Sequence, residues 1–156
     1  MSCCYIISEI INNLFNLKEQ NTYFYYLVLN RDNEKTHWRI NGLCPQYSKP
    51  NYPNYYCEIP FNIKNLDPII MDLETFWYST EKPDKEYWKH QWLKYGTYMF
   101  NKYNNYNEYD YFKQVLSSYV DVLQQNVIDK YPLEQNGTQV KIPIDLDFKI
   151  ILPSTL

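Results

Sequence analysis

The stretch Tyr87-Trp88-Lys89-His90-Gln91-Trp92-Leu93-Lys94-Tyr95-Gly96-Thr97 gathers the densest polar chemistry in the chain. Read as a helix at about 3.6 residues per turn, it places His90 and Lys94 on one stripe and Gln91 and Tyr95 on the next. Trp88 and Trp92 make a third i,i+4 pair, the spacing of a segment anchored in a core. A histidine and a lysine facing one way, beside a polar neighbour, are suited to holding a phosphate. The same pattern also describes an amphipathic helix with a solvated basic edge, and spacing alone does not separate the two.

A second stretch, Trp38-Arg39-Ile40-Asn41-Gly42-Leu43-Cys44-Pro45, changes the balance. Together the two resemble the signatures of the T2 family of acid ribonucleases, the base-unspecific RNases that include the self-incompatibility RNases of plants. The family's first signature reads Ile-His-Gly-Leu-Trp-Pro, and Ile40 to Pro45 stand in its place. The second reads Phe-Trp-x-His-Glu-Trp-x-Lys-His-Gly-Thr-Cys, matched by Tyr87 to Tyr98. Tyr25-Tyr26-Leu27-Val28-Leu29 resembles the family's Phe-Tyr-Leu-Val-Leu strand. Leu73 with Trp77 resembles its Leu-x-x-x-Trp segment, and Tyr111-Phe112-Lys113-Gln114-Val115-Leu116 its Tyr-Phe-x-x-Ala-Leu helix. The matches run collinearly from about residue 23 to residue 131.

The resemblance implies one catalytic histidine in each signature. Asn41 and Tyr95 occupy those positions here, and Gln91 stands for the family's acidic helper. His90 and Lys94, which the resemblance implies hold phosphate and stabilise the transition state, are retained. Trp92, the aromatic between them, joins them as a candidate RNA contact. Cys44 replaces the tryptophan that would flank the base site. A cysteine placed like Cys57 pairs, in the family, with the residue ending the second signature; that residue is Tyr98 here, so the bridge cannot form.

The composition bounds the rest. With 156 residues the chain fits a single domain, 1–156, with its own core. It has 18 tyrosines, three glycines, two arginines and no alanine. The preferred Asn, Ile, Lys and Tyr have A/T-rich codons and point to an A/T-rich genome, such as that of a large DNA virus or a protist. A net charge of −3 argues against a long RNA-coating surface, though a local basic pocket is compatible with it. Cys3, Cys4, Cys44 and Cys57 form no C-x-x-C pair, so neither a metal nor another cofactor is expected. Polar residues interrupt the first apolar run, so no signal peptide is expected, and no run is long enough to span a membrane. These features point to a reducing, intracellular and cytoplasmic setting, in which the sequon Asn136-Gly137-Thr138 stays unmodified.

Along the chain, residues 8–19 read as an amphipathic helix capped by Ser8. Residues 22–30 read as a strand, 31–35 as a polar turn and 36–41 as the returning strand. Asn41-Gly42 on its own reads as a tight turn, because both residues tolerate positive φ. Residues 45–62 carry four prolines and read as an irregular loop, whose Tyr47, Tyr52, Tyr55 and Tyr56 either stack on bases or cover the core. Residues 65–78 read as a helix, and Asp84 as the cap of the signature helix. Residues 110–130 read as a helix with Phe112, Val115, Leu116, Tyr119, Leu123, Val127 and Ile128 as its buried stripe. Strict alternation from Val140 to Leu152 reads as one strand, with Pro143 marking an edge or bulge. The expected class is α+β, a small, mainly antiparallel sheet packed with helices, which the resemblance also implies.

Three functional readings follow. The first is a ribonuclease-like pseudoenzyme that has lost both catalytic histidines and binds RNA or a nucleotide phosphate through His90 and Lys94. The second is a scaffold that uses the fold to bind a protein partner. The third is a weak RNA endonuclease with a relocated mechanism. His37, the only other histidine, stands about 13 Å from Asn41 if both lie on one strand, too far to replace it.

Overall fold

The computed structural model describes residues 22–47, 60–97 and 106–153. The expected helix at 8–19 and Tyr52, Tyr55, Tyr56 and Cys57 lie outside them. Strand β1 (Thr22–Asn30) and strand β2 (Arg39–Tyr47) pair antiparallel. A 3-10 segment at Ile63–Ile69 leads into helix α1 (Ile70–Phe76), followed by α2 (Asp84–Gln91) and α3 (Glu108–Gln125). Strands β3 (Leu133–Glu134) and β4 (Gln139–Ile144) complete a four-stranded antiparallel sheet of order β2-β1-β4-β3. The α+β reading is therefore correct.

The returning strand departs from expectation in a way that shapes the site. β2 starts at Arg39, so His37 lies in the connection, exposed, and shares no strand with Asn41. Asn41-Gly42 is not a turn. Val28 pairs with Gly42 and Leu29 with Ile40, which leaves Asn41 as the extra residue of a β-bulge. The bulge reconciles Ile40 and Leu43, three apart and each 1% exposed, with a period of two. Ile40 pairs with Leu29 and Leu43 with Leu27, and all four face the core.

The helical side of the core is aromatic. Trp77 packs on Phe112 with ring centroids 4.7 Å apart, and Trp77 and Trp92 each meet Tyr111 at about 6 Å. Trp88 Nε1 donates to the Trp77 carbonyl at 2.6 Å, which pins the signature helix to the end of α1. The expected helix at 65–78 is 3-10 in its first half, where Pro68 sits inside it and supplies no N–H donor. Asn107 caps α3 in a reciprocal capping box with Asp110. The α3 stripe continues through Val122 rather than Leu123, which is 45% exposed. Asn126 then closes the helix in the left-handed conformation and Val127 turns back into the core.

Two local expectations fail for a shared reason: side-chain oxygens captured nearby backbone N–H groups. Asp84 is the first residue of α2, not its cap; its carboxylate accepts from Ser79 N at 2.8 Å. The alternating tail stops at Ile144. Asp145 Oδ1 accepts from Asp147 N and Lys149 N, Phe148 takes a φ of 60°, and the chain doubles back to bridge Ile150 to Ile144. Pro143 lies opposite Tyr26 in an interior strand, and its carbonyl accepts from Ile151 N at 2.9 Å. Its missing N–H therefore falls on the side beyond the reach of β3, where it costs the ladder nothing.

Candidate functional site

A cleft of about 300 Å³ opens between the β1–β2 end of the sheet, the loop before α2 and the second half of that helix. Asn30, Arg39 and Asn41 line it from the strands, Tyr78 to Lys82 from the preceding loop, and Tyr87, His90 and Gln91 from the helix. The two quoted sequence stretches thus meet in space.

Asn41 enters the cleft because the bulge turns it out of the ladder. There it is tied to the helix. Tyr87 Oη lies 2.7 Å from the Asn41 carbonyl and 2.8 Å from Oδ1. One hydroxyl proton serves only one of these well; with the amide rotated, Nδ2 donates to Oη while Oη donates to the carbonyl. Burial pushes the Tyr87 hydroxyl up to about 12, so it keeps its proton across the working range. Sequence reading gave Tyr87 no role. The signal was its hydroxyl, at a position where the resembled family reads phenylalanine.

Gln91 and Tyr95 approach the strand at Gly42. A Cβ built on Gly42 would stand 2.5 Å from Gln91 Oε1 and 3.7 Å from Tyr95 Cε2, so a side chain there would push the Gln91 amide aside. Gln91 is 6% exposed and its Oε1 finds no hydrogen-bond partner. Tyr95 shares a side-chain hydrogen bond with Cys44, whose thiol burial pushes up. The residues at the two implied histidine positions are therefore each bonded to a neighbour: Asn41 to Tyr87, Tyr95 to Cys44.

After Gln91 the helix widens into a π turn at Trp92–Gly96. Two of the expected i,i+4 pairs nevertheless share a face across it: Trp88 and Trp92 are both buried, and Gln91 and Tyr95 both approach Gly42. His90 is exposed and lines the cleft, while Lys94 stands on the widened turn with its Nζ 5.0 Å from the Tyr95 ring centroid. The imidazole is pushed below its ordinary value, first by desolvation and then by the Lys82 and Lys94 ammonium groups. Trp92 is corrected as an RNA contact. It is 1% exposed and packed on Tyr111, so its indole offers no face to a ligand. Gly96 permits that packing, since a Cβ there would stand 2.2 Å from Trp92 Cε3.

Among the described residues no three His, Cys, Asp or Glu side chains converge to hold a metal, and no helix is long and apolar enough to cross a membrane. Tyr47 ends β2.

Comparison with known proteins gives a consistent answer. The model of the Ribonuclease T2 family matches residues 12–140. Ribonuclease Oy of Magallana gigas is 30% identical over 79 residues, covering 48% of this chain and 37% of that protein. Ribonuclease DdI of Dictyostelium discoideum is 28% identical over 67 residues, 43% of this chain and 30% of that one. Ribonuclease T2-A of Mus musculus is 24% identical over 106 residues, 63% of this chain and 38% of that one. The chain thus spans well under half the length of these relatives. Among solved structures, trichomaglin, described as an S-like ribonuclease, superposes with a TM-score of 0.63 at 17% identity, over 83% of this chain and 90% of that one. Ribonuclease MC1 from bitter gourd seeds does so at 0.61 and 17%, over 83% and 93%.

Proposed function

The chain belongs to the Ribonuclease T2 family, and from that premise we propose that it is a member that binds RNA or a nucleotide through its phosphate without cleaving it. The observation that carries this reading is the pairing of a standing cleft with two disarmed positions. His90 lines the cleft, and Lys94, which does not line it, is near enough to act on the imidazole, whereas Asn41 and Tyr95 are bonded to Tyr87 and Cys44.

Cleavage through the 2′-hydroxyl needs one group to take its proton and another to protonate the departing 5′-oxygen. Both tasks favour a group that titrates near the working pH. Asparagine does not titrate, and tyrosine, ordinarily near 10, is a poor base at neutral pH. Each lost group removes roughly 10²–10⁴ in rate, although the two losses need not multiply. His90 supplies one titrating group with no partner of matched role. Its lowered pKa favours the neutral form, and a bound phosphate would favour protonation and a charge-assisted hydrogen bond. Ribonuclease MC1 variants have been solved in complex with 5′-GMP and 5′-UMP, which supports nucleotide binding in a cleft of this fold.

The test compares cleavage of a short fluorescent RNA between pH 4 and 8 by the natural chain and by Asn41→His/Tyr95→His, alongside binding measured by anisotropy. Silence with binding in the natural chain, and binding lost in Lys94→Ala, is the expected result. Turnover by the natural chain that disappears in His90→Ala would overturn it in favour of a weak endonuclease. A folded protein that neither cuts nor binds would leave the fold as a protein-interaction scaffold.

A further inference from the structure

Arg39 is a cation that the reading above leaves unused. It opens β2, two residues before Asn41, and lines the same cleft. Its side chain is 12% exposed, yet among the described residues its guanidinium gives one hydrogen bond, from Nη1 to Asp32 Oδ1 at 2.8 Å. Asp32 itself is 53% exposed and faces solvent. The guanidinium carbon stands 5.4 Å from the centroid of the Tyr78 ring, a second wall of the cleft. A guanidinium has five N–H donors in a planar fork. Asp32 and Tyr78 hold that fork in place beside the cleft that Arg39 lines.

The neighbours reinforce the arrangement. Lys82 lies near enough to His90 to depress it. Ser79 Oγ accepts from Glu81 N and Lys82 N, each at 3.2 Å, which curls the loop and leaves the hydroxyl hydrogen to donate. Asn30 Oδ1 accepts from Gln139 Nε2 at 3.0 Å, so its own amide NH₂ is available to a ligand. Glu81 is the one carboxylate among the lining residues, against Arg39, Lys82 and His90. Arg39 and Lys82 thus bring two cations to the cleft, offset by Asp32 against Arg39 and by Glu81 in the lining.

We propose that the cleft lined by Arg39 and Lys82 holds a subsite for the terminal phosphate monoester of a ribonucleotide. The inference rests on the phosphate-binding reading and adds to it which phosphate is preferred. Charge favours a monoester, which carries nearly two negative charges at pH 7 where an internal diester carries one. Geometry favours it because the Arg fork recognises phosphate bidentately, and a terminal phosphate presents three unesterified oxygens. Size favours it because about 300 Å³ is the lower end of small-ligand sites, room for one nucleotide rather than a strand.

The test is anisotropy with a short RNA labelled at one end and carrying either a hydroxyl or a phosphate at the other, in 5′- and 3′-phosphorylated versions. Uridine 5′-monophosphate and uridine serve as unlabelled competitors. The phosphorylated RNA is expected to bind about tenfold or more tighter. Arg39→Gln should erase that preference, so that phosphate- and hydroxyl-ended RNA bind within about twofold of each other. Arg39→Lys, which keeps the charge but not the fork, and Lys82→Gln on the exposed loop should each reduce the preference, so the result does not hang on one variant's folding. Competition by the mononucleotide but not by uridine marks a free nucleotide as the source; a preference confined to phosphorylated RNA marks a strand end. Equal binding of hydroxyl- and phosphate-ended RNA would overturn the subsite and leave the phosphate-binding reading intact. So would a preference that survives all three variants. Failure of both RNAs to bind would overturn the reading on which it rests.

Discussion

Removing one oxygen tests the tie that holds Asn41. In Tyr87→Phe the ring keeps its packing and loses the hydroxyl that lies 2.7 Å from the Asn41 carbonyl and 2.8 Å from its Oδ1. A hydrogen bond of this kind contributes about 0.5–1.5 kcal/mol net, and a buried acceptor left bare costs about 1–3 kcal/mol more. Asn41 lines the cleft and is only half-buried, so water reaches it and the second cost is small. The expected loss is therefore about 1.5 kcal/mol, roughly 3–6 °C in Tm for a chain of this length. Urea unfolding followed by tryptophan fluorescence reads it. A double-mutant cycle with Asn41→Ala separates the two legs, because alanine removes the side-chain contact and leaves the carbonyl one. The expected coupling is about 0.5–1 kcal/mol. A neutral Tyr87→Phe, or strict additivity with Asn41→Ala, would refute the claim that Asn41 is held rather than merely adjacent.

Further outcomes follow from the same geometry. Gly96→Ala places a Cβ 2.2 Å from Trp92 Cε3 and 3.0 Å from Tyr111 Cδ1, and overpacking at so buried a point should cost about 1–3 kcal/mol in denaturant unfolding. Burial raises Tyr87 to about 12 and also raises Tyr111, Tyr119 and Cys44, so the folded chain holds these protons harder than the unfolded one. For Tyr87 that stability is complete below about pH 10 and lost as pH rises towards 12; Tyr87→Phe should flatten the alkaline limb of a pH–stability curve. His90 is shifted the other way, so its neutral form is favoured in the fold; that stability is present above about pH 6.5 and is lost as pH falls from there through the lowered folded value. Binding of a hydroxyl-ended RNA should accordingly strengthen from pH 7 to pH 5 with proton uptake, and His90→Gln should abolish that pH dependence in anisotropy titrations. The same histidine should titrate below its ordinary value by NMR, and an upfield-to-downfield transition at the ordinary value would count against the lysine-flanked site.

Much of the fold is legible in the chain because it rests on local periodicity. β1 and the stripe from Phe112 to Tyr119 follow the spacing of their apolar residues. The pairing of the two signature stretches is legible through their resemblance to a family whose site joins them. What eluded the sequence was decided by competition at single residues. Asn41-Gly42 has the composition of a turn, yet pairing with β1 makes it a bulge in a strand. The tail alternates to Leu152, yet the Asp145 carboxylate ends the strand at Ile144. Trp92 is equally suited to a base or to a core, and packing on Tyr111 decides for the core.

The sequence by itself determined the residue types at the site: no histidine at 41 or 95, and a histidine and a lysine at 90 and 94. It therefore determined which proton transfers the chain has the groups to attempt. Only the tertiary structure decided which of those groups meet. The Tyr87 hydroxyl reaches Asn41 across 46 positions of chain, and Arg39 comes to share a cleft with Lys82 and His90. Identity is a local property of the chain, whereas a hydrogen bond or a shared electrostatic field depends on distances that only packing sets.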